Sequence, residues 1–184
     1  MKDFELWQLG VAKVEEEYRV LPPALLTSVN ESIRKVRECK KAIHAFTEKL
    51  DASTICASCG GECCVAGKHH FTVIDLLSHL SDGRDLFAPR FGNGLCPYLG
   101  EQGCLMDPEF RPFNCVTFNC ERVESLLDPQ EIESLYKIEQ TLKVACHEIE
   151  VLLGNRYMQG LLINYERDVL QHGACILKVN ATDS

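Results

Sequence analysis

Hydrophobic and polar positions alternate with a helical period in the first third of the chain. From Pro23 onward, apolar side chains recur every three or four residues, which is the spacing of one helix face. These positions are Leu26, Val29, Ile33, Val36, Cys39, Ile43, Phe46 and Leu50. Charged residues occupy the other faces, namely Glu31, Arg34, Lys35, Arg37, Lys40 and Lys41. The pattern predicts a long amphipathic helix that starts at Pro23, or later at a capping box over Ser28–Glu31.

Two further regions have helical character. An earlier helix is predicted over about Asp3–Arg19, and its apolar face is Phe4, Trp7, Val11 and Val14. A second long helix is predicted from Asp128 as N-cap to Gly154 as stop, because Pro129 and Glu131 suit the first turn. Its stripe is Leu135, Ile138, Leu142, Ala145, Ile149 and Leu152. Another helix is predicted over about 156–170, and the tail beyond Gly173 is either a short strand or irregular.

The middle of the chain, residues 56–120, differs in kind. It holds eight of the 12 Gly, four of the seven Pro and eight of the 11 Cys. Within it the pattern predicts one helix, over about Thr72–Leu80. A segment so rich in turn residues has few backbone ladders to order it. Metal coordination would order it, because binding free energy at such sites is folding free energy.

Composition and charge exclude several classes of protein. The chain has 184 residues, a length that suits one domain with its own core. The net charge of −8 is the wrong sign for a general nucleic-acid binder. The acidic N-terminal stretch does not resemble a secretory signal, and no apolar run would span a bilayer. We therefore expect a cytoplasmic protein without a nucleic-acid or membrane partner, in which reduced, clustered thiols indicate metal binding.

The cysteines form three sets. The first is Cys56-x2-Cys59-x3-Cys63-Cys64, in which a pair separated by two residues can hold one ion from a tight turn. The side chains of two adjacent cysteines point in diverging directions. Cys63 and Cys64 are therefore expected to bind two different metal centres, or one of the two thiols lies outside the coordination shell. The second set is Cys96 and Cys104, and the third is Cys115 and Cys120. Eight thiolates fit two tetrathiolate sites, or one iron–sulfur cluster and a second centre, and soft thiolates select zinc, copper(I) or iron–sulfur clusters.

The order of these motifs resembles the YkgJ-type cysteine-cluster family, described as a zinc- or iron-chelating domain. The resemblance covers about residues 56–120 and includes Cys96-Pro97-Tyr98-Leu99, Gly103-Cys104 and Arg111-Pro112-x2-Cys115-x4-Cys120. Two departures concern the loop before the double cysteine, which is one residue longer here, and Val116, where the family often has Arg. Flagellin lysine-N-methylase carries a similar cysteine-rich pattern, so the resemblance also implies methyl transfer as an alternative.

Other candidate residues have simpler interpretations. Cys39 and Cys146 lie on helix stripes and are predicted to be packed core thiols, while Cys175 is left unassigned. The pair His69-His70 could complete a coordination shell, but a solvated loop pair is favoured because thiolates already suffice. Arg111 either contacts the cluster or a ligand, or braces Asp107 or Glu109. Asp75 is interpreted as an acid near the start of its helix, where it offsets the helix dipole.

These observations together predict a mainly α-helical single domain, residues 1–184, whose helices pack around an irregular Cys/Gly/Pro-rich metal-binding core. N-terminal helices over 1–55 and C-terminal helices over 121–184 flank the cysteine cluster at 56–120. The predicted function is chelation of zinc or iron, as ions or as an iron–sulfur cluster, at up to two centres. Two alternatives stay open: an iron–sulfur enzyme for methyl transfer or redox chemistry, and a zinc-stabilised module that binds a protein or small molecule.

Overall fold

The computed structural model describes residues 2–50, 67–92, 96–100, 103–117, 121–154, 156 and 158–179, and this part of the chain is mainly helical, as predicted. The α-helices are α1 (Asp3–Arg19), α2 (Pro23–Lys49), α3 (Val73–Ser81), α4 (Phe113–Thr117), α5 (Glu121–Glu124), α6 (Pro129–Leu153) and α7 (Leu161–Asn164). A π-helical segment, Tyr165–Gln171, continues from α7. Strands β1 (Leu99–Gly100) and β2 (Gly103–Cys104) form a small antiparallel hairpin, and 3-10 turns span Gly67–His69 and Pro108–Phe110.

The two long helices, α2 and α6, pack along each other and form the centre of the fold. Their predicted stripes supply fully buried side chains, among them Val29, Ile33, Leu142 and Ile149. Each such aliphatic side chain contributes about 1.5–3 kcal/mol on leaving water. Helix α3 packs against α1 and α2. Its Leu76 and Leu77 belong to the same core cluster as the stripes of α2 and α6. The hydrophobic core therefore joins the N-terminal helices, α3 and the C-terminal helices.

The predicted helix boundaries agree closely with the structure. Helix α2 begins at Pro23, so the later start at Ser28 is not used. At α6, the Asp128 carboxylate accepts hydrogen bonds from the backbone N–H groups of Gln130 and Glu131. Gly154 ends this helix in the left-handed conformation, with φ at 61°. Local capping chemistry thus determines where the longest elements start and stop.

Three assignments differ from the sequence-based expectation. Phe4 is 40% exposed, and Leu6 takes its place on the buried face of α1. Lys40, expected on a solvent-facing side of α2, has an exposed fraction of 0% because it pairs with a buried carboxylate described below. The helix expected from about 156 begins only at Leu161, since Gly160 first forms a β-bridge with Thr72.

The described part of the tail, residues 174–179, contains no strand and is held by a side chain of α1. The buried Glu17 carboxylate accepts hydrogen bonds from the backbone N–H groups of Ile176 and Leu177 at 3.2 and 2.7 Å. These hydrogen bonds satisfy backbone N–H groups that a neighbouring strand would otherwise have paired. Of the two alternatives for the tail, the irregular one is correct for these residues.

Within the described ranges, every helix is too short or too polar to cross a bilayer.

Candidate metal centre

Three of the eight predicted ligands lie in the described part of the chain. Cys96 precedes the hairpin, Cys104 ends β2, and Cys115 lies in α4. The other five, Cys56, Cys59, Cys63, Cys64 and Cys120, lie outside the described residues. The geometry of the centre therefore rests on the three described thiols and on the elements that position them.

Cys96 is held by a tight turn and packs directly against the backbone of Gly67. The carbonyl of Cys96 accepts a hydrogen bond from the N–H of Leu99 at 3.1 Å, which closes the turn into β1. A Cβ atom built on Gly67 would lie 2.5 Å from the Cys96 Sγ and 3.1 Å from its Cβ. Because real Cβ atoms do not approach so closely, a side chain at position 67 would displace the Cys96 thiol. Gly67 follows the segment that carries the first cysteine set.

Cys115 lies beside an imidazole. Its Sγ is 3.5 Å from the Nδ1 of His70. The carbonyl of Pro112 accepts hydrogen bonds from the N–H groups of Cys115 and Val116 at 2.9 and 3.2 Å, and these bonds form the first turn of α4. The buried Phe113 and Val116 face the core, so Cys115 lies on the outer side of the helix with its thiol exposed.

The buried phenol of Tyr98 connects the Cys96 turn to the turn that bears His70. Burial raises the pKa of Tyr98, and the charges of Cys96, Asp75 and Cys115 raise it further. The Tyr98 hydroxyl donates a hydrogen bond to the carbonyl of Lys68 at 3.4 Å, which ties the Cys96 turn to the turn that bears His70.

Cys104 lies on the other strand of the hairpin. It pairs in register with Leu99 and is exposed. The N–H of Leu105 donates to the carbonyl of Tyr98 at 2.8 Å, so the backbone after Cys104 is fixed to the turn that follows Cys96. The hairpin thus links two predicted ligands through the backbone.

The predicted histidine pair separates into two different environments. His69 is exposed, as expected of a solvated loop residue, whereas His70 is half-buried against Cys115. Burial lowers the pKa of His70 below its ordinary value, the charge of His69 lowers it further, and Asp75 opposes these effects. At neutral pH the His70 ring is therefore uncharged and has a nitrogen lone pair available for an ion.

A buried network holds the His70 backbone in place. Phe71, the next residue, is 1% exposed, and its carbonyl accepts a hydrogen bond from the N–H of Leu161 at 2.7 Å. The N–H and hydroxyl of Thr72 both donate to the Asp75 carboxylate, which receives the Lys40 ammonium on its other oxygen. This arrangement confirms Asp75 as an acid in the first turn of α3 and adds an ion pair that the sequence did not indicate.

Gly160 was also missed by the sequence analysis. A Cβ atom on Gly160 would lie 2.3 Å from the carbonyl oxygen of His69, so the absence of a side chain allows the two backbones to touch. A glycine just before a predicted helix is usually interpreted as a loop residue, and nothing local in the sequence indicates this distant contact.

Arginines fix the segment between β2 and α4. Arg37 pairs with Asp82 at 2.6 Å and with Glu109 at 2.9 Å, and Arg84 pairs with Asp107. Both guanidinium carbons lie 4.6 Å from the centroid of the buried Phe110 ring, within the range of cation–π attraction. The 3-10 turn before α4 is therefore attached to α2 and α3.

Arg111 contacts the backbone. Its Nε donates a hydrogen bond to the carbonyl of Met106 at 3.2 Å. Asp107 and Glu109, which one of the two alternatives paired with Arg111, pair instead with Arg84 and Arg37, so that alternative is wrong. The guanidinium also helps to lower the pKa of His44, after the larger effect of burial.

The cysteines assigned to the helix stripes pack with the hydrophobic core. Cys146 is 2% exposed, and burial raises the pKa of its thiol to about 12. Cys39 packs against the same core, and burial also raises its pKa. Both thiols stay protonated and behave as small apolar side chains. Cys175 is exposed in the tail.

The described donors fit part of a thiophilic metal shell. Exposed or half-buried thiols and a neutral imidazole are the donors that zinc, copper(I) and iron–sulfur clusters prefer. Within the described ranges alone, no three His, Cys, Asp or Glu side chains come together closely enough to hold an ion. A complete shell would therefore also need donors from the cysteines outside these ranges.

Comparisons of the chain with protein-family models, with curated proteins and with solved structures gave no match.

Proposed function

We propose that this chain is a metal-binding protein that chelates zinc or iron through its cysteine cluster, as ions or as an iron–sulfur cluster. One observation carries the proposal. Cys96 and Cys115, from separate segments, both lie against the turn formed by Gly67–His70. In the sequence, this turn begins three residues after Cys64, the last cysteine of the first set.

The chemistry of the cluster supports the proposal. Buried structural cysteines lie on apolar stripes, as Cys146 does, whereas Cys104 and Cys115 are exposed in a hairpin and a short helix. Exposed thiols contribute little to a core, but they are well placed to bind ions as thiolates. The binding free energy would add to the core contacts that the described part of the Gly- and Pro-rich segment already makes, among them those of Phe110 and Val116.

The test is metal analysis of the full chain, purified without air and kept reduced. We expect zinc or iron in stoichiometric amount, and a chelator that removes it should lower the thermal stability of the protein. Visible absorption with bound iron and sulfide would identify an iron–sulfur cluster and favour the enzyme alternative. Colourless protein with bound zinc would favour the structural or interaction role. A folded chain that neither carries metal nor takes up added zinc or iron would refute the proposal.

A further inference from the structure

Among the described histidines, His70 is the one whose imidazole ring contacts a sulfur, the Sγ of Cys115. We propose that His70 supplies a nitrogen ligand to the same metal ion as Cys115, so that this centre is a mixed thiolate–imidazole site. The inference deepens the proposed function and rests on it. The eight-thiolate assignment needed no histidine, so the two assignments differ in the donor atoms around the ion.

The distance between the two donors matches that of two ligands on one tetrahedral ion. With zinc–sulfur and zinc–nitrogen bonds of about 2.3 and 2.0–2.1 Å and a tetrahedral angle, the two donor atoms lie about 3.5–3.6 Å apart. The Cys115 Sγ and the His70 Nδ1 are 3.5 Å apart. The two donor atoms are therefore spaced as two ligands of one ion would be.

The backbone that carries the imidazole is held on both sides. The N–H of His70 donates to the carbonyl of Gly67 at 3.0 Å, which closes the 3-10 turn on one side. On the other side, the buried Phe71 and the Thr72–Gly160 bridge fix the backbone. A ligand on such a backbone loses only side-chain freedom when it binds.

Binding would involve a simple exchange of protons. The ion displaces the proton of the Cys115 thiol, and the sulfur binds as thiolate. The His70 ring binds through a nitrogen lone pair and stays neutral. Because both donors compete with protons, affinity for the metal should fall as the solution becomes more acidic.

A thiol–imidazole hydrogen bond spans a similar distance, so the experiment must detect a coordinate bond directly. The full chain is labelled with nitrogen-15 in its histidine rings, kept reduced, and loaded with cadmium-113, a thiophilic substitute for zinc. Scalar coupling between cadmium and a ring nitrogen arises only through a bond. We expect this coupling in the wild-type protein and in His69→Ala, the matched control with an exposed neighbouring ring, and its loss in His70→Ala.

A second variant protects the test against misfolding. His70→Cys replaces the nitrogen donor with sulfur, so it should keep bound cadmium and its helical circular dichroism while the coupling disappears. Bound cadmium without coupling in the wild-type protein would overturn the inference and leave the proposed function intact. Coupling that survives in His70→Cys would also overturn it. Failure of the reduced wild-type chain to bind zinc, cadmium or iron would instead overturn the proposed function, and this inference with it.

Discussion

The Lys40 ammonium lies 2.6 Å from the Asp75 carboxylate, and both side chains are only 1% exposed. The second carboxylate oxygen accepts two hydrogen bonds from Thr72, at 2.7 and 2.8 Å. The pair therefore joins the middle of α2 to the start of α3, which begins three residues after His70. It connects the hydrophobic core to the candidate metal centre.

Replacing Lys40 with Met should be strongly destabilising. Removal of the ammonium leaves the Asp75 charge buried without its partner, and loss of one member of a buried pair costs about 3–5 kcal/mol. We expect the free energy of unfolding to fall by this amount. Denaturant unfolding, followed by helical circular dichroism at neutral pH, measures the change.

An exposed ion pair between α2 and α6 provides the control. Lys35 contacts Glu148 at 3.2 Å, but both side chains are about half exposed. Because such surface pairs contribute about 0–1 kcal/mol, Lys35→Met should have little effect. Equal losses in the two variants would show that burial of the Lys40–Asp75 pair has no energetic importance.

The sequence predicted the elements that local physics determines, and it failed where distant contacts decide. The stripe on α2 and the Asp128 and Gly154 caps of α6 depend on neighbours within a few residues, and these predictions are confirmed. Lys40 has the same local pattern as its exposed neighbours, and it is buried only because Asp75, 35 positions away, neutralises it. Periodicity contains no information about such a partner.

The same reasoning applies to the candidate site. Cysteine spacing identified Cys96 and Cys115 as candidates because chelation by close thiols leaves a local pattern. The contact between His70 and Cys115 spans 45 positions, so sequence favoured a solvated loop residue instead. Gly67 gave no signal, because its role depends on the approach of Cys96 from another segment.

Substitution of Gly67 by Ala should disturb the metal centre. The new methyl group would lie 2.5 Å from the Cys96 Sγ, so the thiol must move away from the His70 turn. We expect metal affinity to fall by about 10–100-fold, as when groups that orient ligands are changed. Competition with a chromophoric chelator measures the affinity.

Lys68→Ala is the matched control for this variant. It changes the next residue of the same turn, but its side chain is at the surface and pairs with Asp3 at 3.1 Å. Metal affinity should stay close to that of the wild-type protein. If both variants bind equally well, the close approach of Cys96 to Gly67 does not matter for the centre.

His79 should make stability depend on pH. Its ring is 5% exposed, lies among Phe71, Phe87 and Phe110, and has no hydrogen-bond partner for either nitrogen among the described atoms. Burial lowers its pKa below the ordinary 6.5; Asp75 opposes this, and the positive charges of Arg84, Lys40 and Arg37 reinforce it. As the pH falls through about 6.5, His79 therefore binds a proton more readily in the unfolded chain than in the folded chain.

The sign follows from proton linkage. The contribution of His79 is fully present above pH 6.5 and is lost as the pH falls from there towards the lowered pKa of the folded state. His44 and His70 also have lowered pKa values, so the wild-type slope contains their contributions as well. His79→Leu isolates the His79 term: at matched metal content, its free energy of unfolding should decline less steeply below pH 6.5. If the free energies of unfolding of the wild-type protein and His79→Leu depend on pH with the same slope, then His79 binds a proton equally well in the folded and unfolded chains.

The cysteines should divide into two classes when each is replaced with Ser. Cys104→Ser or Cys59→Ser should lower the bound metal and destabilise the 56–120 segment, because serine is a poor ligand for soft ions. Cys39→Ser should leave the metal content unchanged, since Cys39 packs against the core and its raised pKa keeps the thiol protonated. Elemental analysis gives the metal content, and limited proteolysis reports the order of the segment. Full metal content in Cys104→Ser would remove Cys104 from the ligand set, and metal loss in Cys39→Ser would contradict its assignment to the core.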